Sequence, residues 1–150
     1  MAGFLLATVG CVQQQDPWPV YKGYKMNPYT VRGVHYTPMS IESALRYRKE
    51  GIASHYEAAG APGAIGQKLG RNRLYAAHRT LPLPCVVRIT NLSNGKSVTA
   101  RVADRGPYIP GRLIDVSTAV AHKLDFHNKG LDRVRVEVLS VGDGPYRRTR

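Results

Sequence analysis

Between residues 86 and 138 the chain alternates apolar and polar positions in short runs. Val86-Val-Arg-Ile-Thr90 and Lys96-Ser-Val-Thr-Ala-Arg-Val102 predict two strands, and Asn94-Gly95 between them is a strong hairpin-turn signal. Leu113-Ile-Asp-Val116 predicts a compact strand. Ser117 then caps a short helix through Thr118–Leu124, and Gly130 closes the segment. Val134, Val136 and Val138 alternate with Arg135 and Glu137, as in a strand with one buried face. Gly51–Tyr56 and Leu74–His78 predict two weaker strands. About six short strands and one internal helix in roughly 90 residues predict a small closed barrel.

Upstream, Pro17, Pro19, Pro28 and Pro38 stand among Tyr21, Tyr24, Tyr29 and Tyr36, which favours extended chain and turns over helix. Ser40–Glu50 predicts a short helix with Ser40 as N-cap, ended by Gly51. The tail Gly142–Arg150 is expected to be disordered. The organisation expected is therefore 1–15 leader remnant and tether, 16–50 extended lead-in with a short helix, 51–141 barrel, and 142–150 basic tail.

Residues 2–10 form an uncharged apolar run ending at Cys11, too short for a membrane-spanning helix, which needs about 20 residues. Its length suits the core of a secretory signal. Thr8-Val-Gly-Cys11 resembles a bacterial lipobox, in which the cysteine is lipidated, and Gln13-Gln-Gln-Asp-Pro17 would be the tether. The alternative is an apolar segment packed on the domain with a free thiol. Under the lipobox reading, Val12 in place of an aspartate points to the outer membrane.

The 150 residues suit one domain with a tail, and the composition (43% hydrophobic, 21% charged) excludes collagen-like, polytopic membrane and fully disordered chains. The net charge of +12 predicts attraction to polyanions, whether nucleic acid, anionic lipid or an acidic wall polymer. Two cysteines make no disulfide framework and no zinc spacing, and no metal or cofactor is assigned. Cys85, between Pro84 and Val86, reads as buried.

Carboxylates are scarce after residue 50. Glu137 reads as paired outward, Asp125, Asp132 and Asp143 as solvated, and Asp115 as support for the helix start at Ser117. Asp104 follows a strand and precedes the Gly106-Pro107 turn, so it is either a rigid groove-facing carboxylate or an Asx-turn acceptor beside Arg105. His78 ends a strand as either a satisfied structural residue or a functional one. Ser-His-Asp order, P-loop and dinucleotide motifs do not occur.

Taken together, Tyr29-Thr-Val-Arg-Gly-Val-His-Tyr-Thr-Pro38, Gly51-Ile-Ala-Ser-His-Tyr56, Leu74-Tyr-Ala-Ala-His-Arg-Thr-Leu-Pro82, Val102-Ala-Asp-Arg-Gly-Pro-Tyr108, Gly111-Arg-Leu-Ile-Asp-Val-Ser117 and Val134-Arg-Val-Glu-Val138 resemble the rare lipoprotein A family of septal-ring peptidoglycan transglycosylases. The resemblance implies a mainly β fold: a six-stranded double-psi β-barrel with one or two short helices behind an extended N-terminal segment. It implies lytic cleavage of MurNAc–GlcNAc bonds in glycan strands, denuded ones foremost, leaving 1,6-anhydro ends in wall remodelling at division. It also implies a protein lipid-anchored through Cys11 in a Gram-negative envelope, facing the periplasm, with septal-ring partners and no nucleic acid. Asp104 becomes the acid/base candidate and His78 its partner or substrate orienter, with Arg79, Arg105 and Tyr108 lining the groove.

The family pattern before Leu74 runs Thr-Ala-Asn-Gly-Glu, an aromatic, then Asp. Here Gln67 falls at the glutamate and Gly70 at the aspartate. Glutamine cannot exchange a proton near neutral pH but can hydrogen-bond a sugar hydroxyl, so Gln67 is read as substrate-binding. The alternative is a catalytically inactive peptidoglycan-binding lipoprotein on the same barrel.

Overall fold

The structure is a computed structural model that describes residues 18–58 and 60–150. Cys11 and the proposed leader and tether lie outside the described residues. Strands β1 (Tyr29–Val31) and β2 (Val34–Tyr36) form a hairpin. Then follow α1 (Ile41–Leu45), β3 (Arg48–Tyr56), β4 (Tyr75–Ala77), β5 (Cys85–Asn91), β6 (Ser97–Asp104), β7 (Arg112–Ser117), α2 (Thr118–Lys123) and β8 (Leu131–Val141).

Strands β3 to β8 close into a barrel in the order β3-β7-β4-β6-β5-β8, the expected six-stranded double-psi fold. Two of its pairs, β3·β7 and β4·β6, are parallel, and the others are antiparallel. Closure removes sheet edges. Alternation along β5 and β8 turns Val87, Ile89, Val134, Val136 and Val138 inward, where they meet Ala53, Ala76, Val102, Ile114 and Val116. Leu124 and Phe126, after α2, complete this core. Ser117 caps α2 by accepting from Val120 N, and Gly95 takes φ +77 in the β5–β6 turn.

The segment 40–50 differs from the helix its sequence favours. Ser40 caps α1 as expected, but α1 ends at Leu45. Arg48, Lys49 and Glu50 instead pair with Glu137, Val136 and Arg135 of β8. Good helix formers are overridden by a strand ladder that closes the barrel. The tail is also ordered against the barrel: Val141 bridges Arg148, Gly142 N donates to Pro84 O, and Arg150 Nε donates to Leu45 O at 2.6 Å.

Two aspartates read as solvated are built in. Asp132 is 8% exposed and accepts from Asn91 Nδ2, Ser93 Oγ and Arg133 N. Asp143 forms a two-pronged ion pair with Arg101, whose side chain is 7% exposed, and accepts from Tyr21 N. The lead-in lies along the barrel, with Trp18 beneath the Arg73 guanidinium at 4.1 Å and Lys25 bridged to Leu83. Cys85 is free and buried, and burial pushes its thiol up to about 12.

Candidate active site

Asp104 ends β6, and Asp115 lies in β7. Strand β4 runs between them, and its Ala77 is the register partner of both. The β4–β6 register shifts between Ala76 and Ala77, and the shared face is marked by β3, whose Ser54 and Tyr56, two residues apart, reach Asp115 and Asp104. Two interstrand spacings put their Cα atoms about 10 Å apart. Both side chains are partly exposed.

Strand β3 holds the two carboxylates with two hydroxyls. Ser54, the register partner of Asp115, donates to its Oδ1, and Tyr56 donates to Asp104 Oδ2 at 2.9 Å. Asp104 Oδ1 accepts from Ala64 N at 3.0 Å and from Arg105 N at 2.9 Å. Burial, and then the Asp104 charge, pushes the Tyr56 phenol above its ordinary range, so it remains a donor. Burial raises Asp115 above the usual carboxylate range despite the Ser54 hydrogen bond and the charges of Arg112 and Arg79. The neighbouring Asp104 charge adds to that rise. A raised carboxyl beside a hydrogen-bonded carboxylate is the combination an acid/base pair requires.

Arg79 and Tyr108 stand at the rim. Arg79 Nη1 donates to Pro107 O at 2.9 Å, and the Tyr108 ring lies 5.6 Å from that of Tyr36, which stacks on Tyr29 at 5.2 Å. Arg112 adds a second cation near Asp115.

Three other expected site residues face elsewhere. The His78 imidazole is 4% exposed and has no hydrogen bond to Asp104; only its backbone N–H does, donating to Asp104 O. Nδ1 accepts from Thr80 N and Leu81 N, so Nε2 carries the proton and donates to the Tyr47 hydroxyl at 2.9 Å. Burial first, then the charges of Arg79, Arg105 and Lys49, pushes His78 down to about 3. A neutral, sealed imidazole braces the β4–β5 turn. Arg105 is a strut rather than a groove wall, donating to the carbonyls of His78, Leu81 and Lys25. Gln67 binds Arg101 and Pro19 O instead of facing the acid pair.

Asp115 was hidden in the sequence because its position two residues before Ser117 also suits a helix start. The spacing that could have exposed it is the partner strand: Ser54 and Tyr56 at i, i+2 present two hydroxyls on one face of β3.

The fold and this face define a double-psi barrel with a paired-carboxylate surface. The lytic transglycolase family matches residues 48–136, and the chain belongs to it. It is 48% identical over 123 residues to the endolytic peptidoglycan transglycosylase RlpA of Pseudomonas aeruginosa (strain UCBPP-PA14), covering 81% of this chain and 36% of that protein. It is 44% identical over 136 residues to the RlpA of Rickettsia felis, covering 85% of this chain and 58% of that one. The chain thus spans only part of the length of these curated relatives.

Among solved structures, Streptomyces papain inhibitor aligns with TM-score 0.52 at 20% identity, over 61% of this chain and 94% of that one. A mutant Clavibacter michiganensis expansin in complex with cellohexaose aligns with TM-score 0.53 at 18% identity, over 66% and 54%. At these identities the likeness is one of fold.

Proposed function

We propose that this chain is a peptidoglycan lytic transglycosylase that cleaves MurNAc–GlcNAc bonds in glycan strands and leaves 1,6-anhydro-MurNAc ends. The observation that carries this reading is the pair Asp104 and Asp115 flanking Ala77, both partly exposed. Asp115, with its raised carboxyl, gives its proton to the glycosidic oxygen as the bond from the muramyl C1 breaks. Asp104 takes the proton of the muramyl C6 hydroxyl, whose oxygen closes on C1. One proton is given and one taken, no water enters, and the nucleophile is already part of the bound sugar, with the high effective molarity that implies. Arg79 and Arg112 give the face a cationic rim suited to an acidic polymer.

The alternative of a silent wall-binding protein drew on Gln67. That side chain contacts neither carboxylate, so its lack of an exchangeable proton does not disarm the pair. The same reading extends to lipid anchoring at Cys11, an outer-membrane position facing the periplasm and a role at the division septum. The support for these is the lipobox-like Thr8-Val-Gly-Cys11 and the family resemblance of the sequence.

The test is mass spectrometry of denuded glycan strands incubated with the protein and with Asp104→Asn and Asp115→Asn. Anhydro-ended fragments from the wild type, lost in both variants, are expected. Undiminished product from either variant overturns that residue's role. Co-sedimentation with sacculi and no product from the wild type overturns the enzyme in favour of a binding protein.

A further inference from the structure

Gln67 is held at both ends of its amide. Oε1 accepts from Arg101 Nε at 3.2 Å and Nη2 at 2.8 Å, while Nε2 donates to Pro19 O at 2.7 Å. Arg101 Nη1 and Nη2 also donate to Asp143, at 2.7 Å to each oxygen, so its charge is already balanced. A carboxylate at position 67 would add a second negative charge to that guanidinium and face the Pro19 carbonyl with no proton to offer. An amide supplies acceptor and donor at once.

The backbone of the same turn reaches the acid pair. Gln67 O accepts from Gly63 N at 2.9 Å, and Gly66 N donates to Gly63 O at 3.0 Å. Between them, Ala64 N donates to Asp104 Oδ1. Gly63 lies so close to β6 that an added Cβ would stand 2.6 Å from Ala103 O. The turn is therefore fastened to β6 at both ends, at Arg101 through the Gln67 side chain and at Asp104 through the Ala64 amide.

We propose that Gln67 is a positioning residue: by tying turn 63–67 to Arg101 and to the lead-in, it keeps the Ala64 N–H on the Asp104 carboxylate. This rests on the reading of Asp104 as the base of the proposed reaction. In this chain, then, position 67 acts through the turn, touching neither sugar nor proton. Gln67→Glu leaves Pro19 O without a donor and crowds Asp143. Gln67→Met fills similar space and makes neither hydrogen bond.

The experiment compares the whole chain with both variants by amide hydrogen exchange and by steady-state kinetics on denuded glycan strands. The Ala64 amide should exchange at least about tenfold faster in each variant, with the core strands unchanged. The kcat should fall about tenfold at unchanged KM, since the loss is in the orientation of the reacting group. An Ala64 amide as protected as in the wild type overturns the proposal. So does a raised KM at constant kcat, which would make Gln67 a sugar contact, and so does a Gln67→Glu variant more active than the wild type, which would make position 67 an acid. If the wild type releases no anhydro product, it is the enzyme reading that fails, and the exchange of Ala64 alone decides the role of Gln67.

Discussion

Tyr56 donates its phenolic proton to Asp104 from a strand that is not a neighbour of β6: β7 and β4 lie between them in the barrel. The contact forms at the barrel rim, where β3 and β6 both end. It engages Asp104 Oδ2, while the backbone donors of residues 64 and 105 hold Oδ1. Tyr56→Phe keeps the ring, which packs edge-on against Tyr75 at 5.8 Å, and removes only the donor. Stability should drop by about 1 kcal/mol, the usual net worth of one hydrogen bond. The kcat for anhydro product should fall about tenfold, because the base is no longer fixed. Thermal unfolding and a product time course check both, and a variant with wild-type kcat would place Tyr56 outside the machinery.

Ser54 and Asp115 make a complementary prediction in pH. The Ser54 hydroxyl stabilises the charged form of Asp115 and so works against the rise that burial causes. A general acid must be protonated, so the rate falls as pH climbs through the Asp115 titration. Ser54→Ala removes the hydroxyl, lifts Asp115 further, and should move the alkaline limb of the kcat profile to higher pH. A limb that stays in place or moves down would show that another group sets it.

Much of this arrangement was open to reading. Asn94-Gly95 marks the β5–β6 turn and the valine alternation of 134–138 marks β8, since both signals are local. Asp104 was accessible for the same reason, as a carboxylate between a strand end and a Gly-Pro turn. What stayed hidden depends on distant partners. Arg48–Glu50 has helix-forming residues, and only the β8 ladder makes it a strand. Asp143 sits in a Gly- and Arg-rich tail, and only the buried Arg101 guanidinium shows why it is there. His78 follows a strand-like run whether it faces a groove or a sealed turn. Only its partners Tyr47, Thr80 and Leu81 distinguish the two.

Gly63 offers a test that leaves the side chains of the site intact. In Gly63→Ala the new methyl would stand 2.6 Å from Ala103 O, a backbone atom of β6, so the turn must lift away. The Ala64 N–H then leaves Asp104. Loss of kcat without loss of the barrel's circular dichroism is expected, together with faster exchange of the Ala64 amide. Full activity would mean that the Ala64 hydrogen bond contributes nothing to the reaction.

His78 gives a stability signature of its own. Its folded value of about 3 lies below the ordinary 6.5 of an unfolded histidine. Above 6.5 both states are neutral and the contribution is constant. Below 6.5 the unfolded chain takes up a proton that the folded chain refuses, so stability falls with falling pH at a slope of up to one proton, about 1.4 kcal/mol per pH unit. The fall continues until the folded imidazole also titrates, near 3. In His78→Asn the side-chain oxygen still accepts from Thr80 N and Leu81 N, but nothing at that position titrates. Urea unfolding from pH 7 to pH 4 should therefore give a flatter profile for the variant than for the wild type. Parallel profiles would mean that His78 binds its proton equally in both states, which the two N–H donors on its Nδ1 argue against.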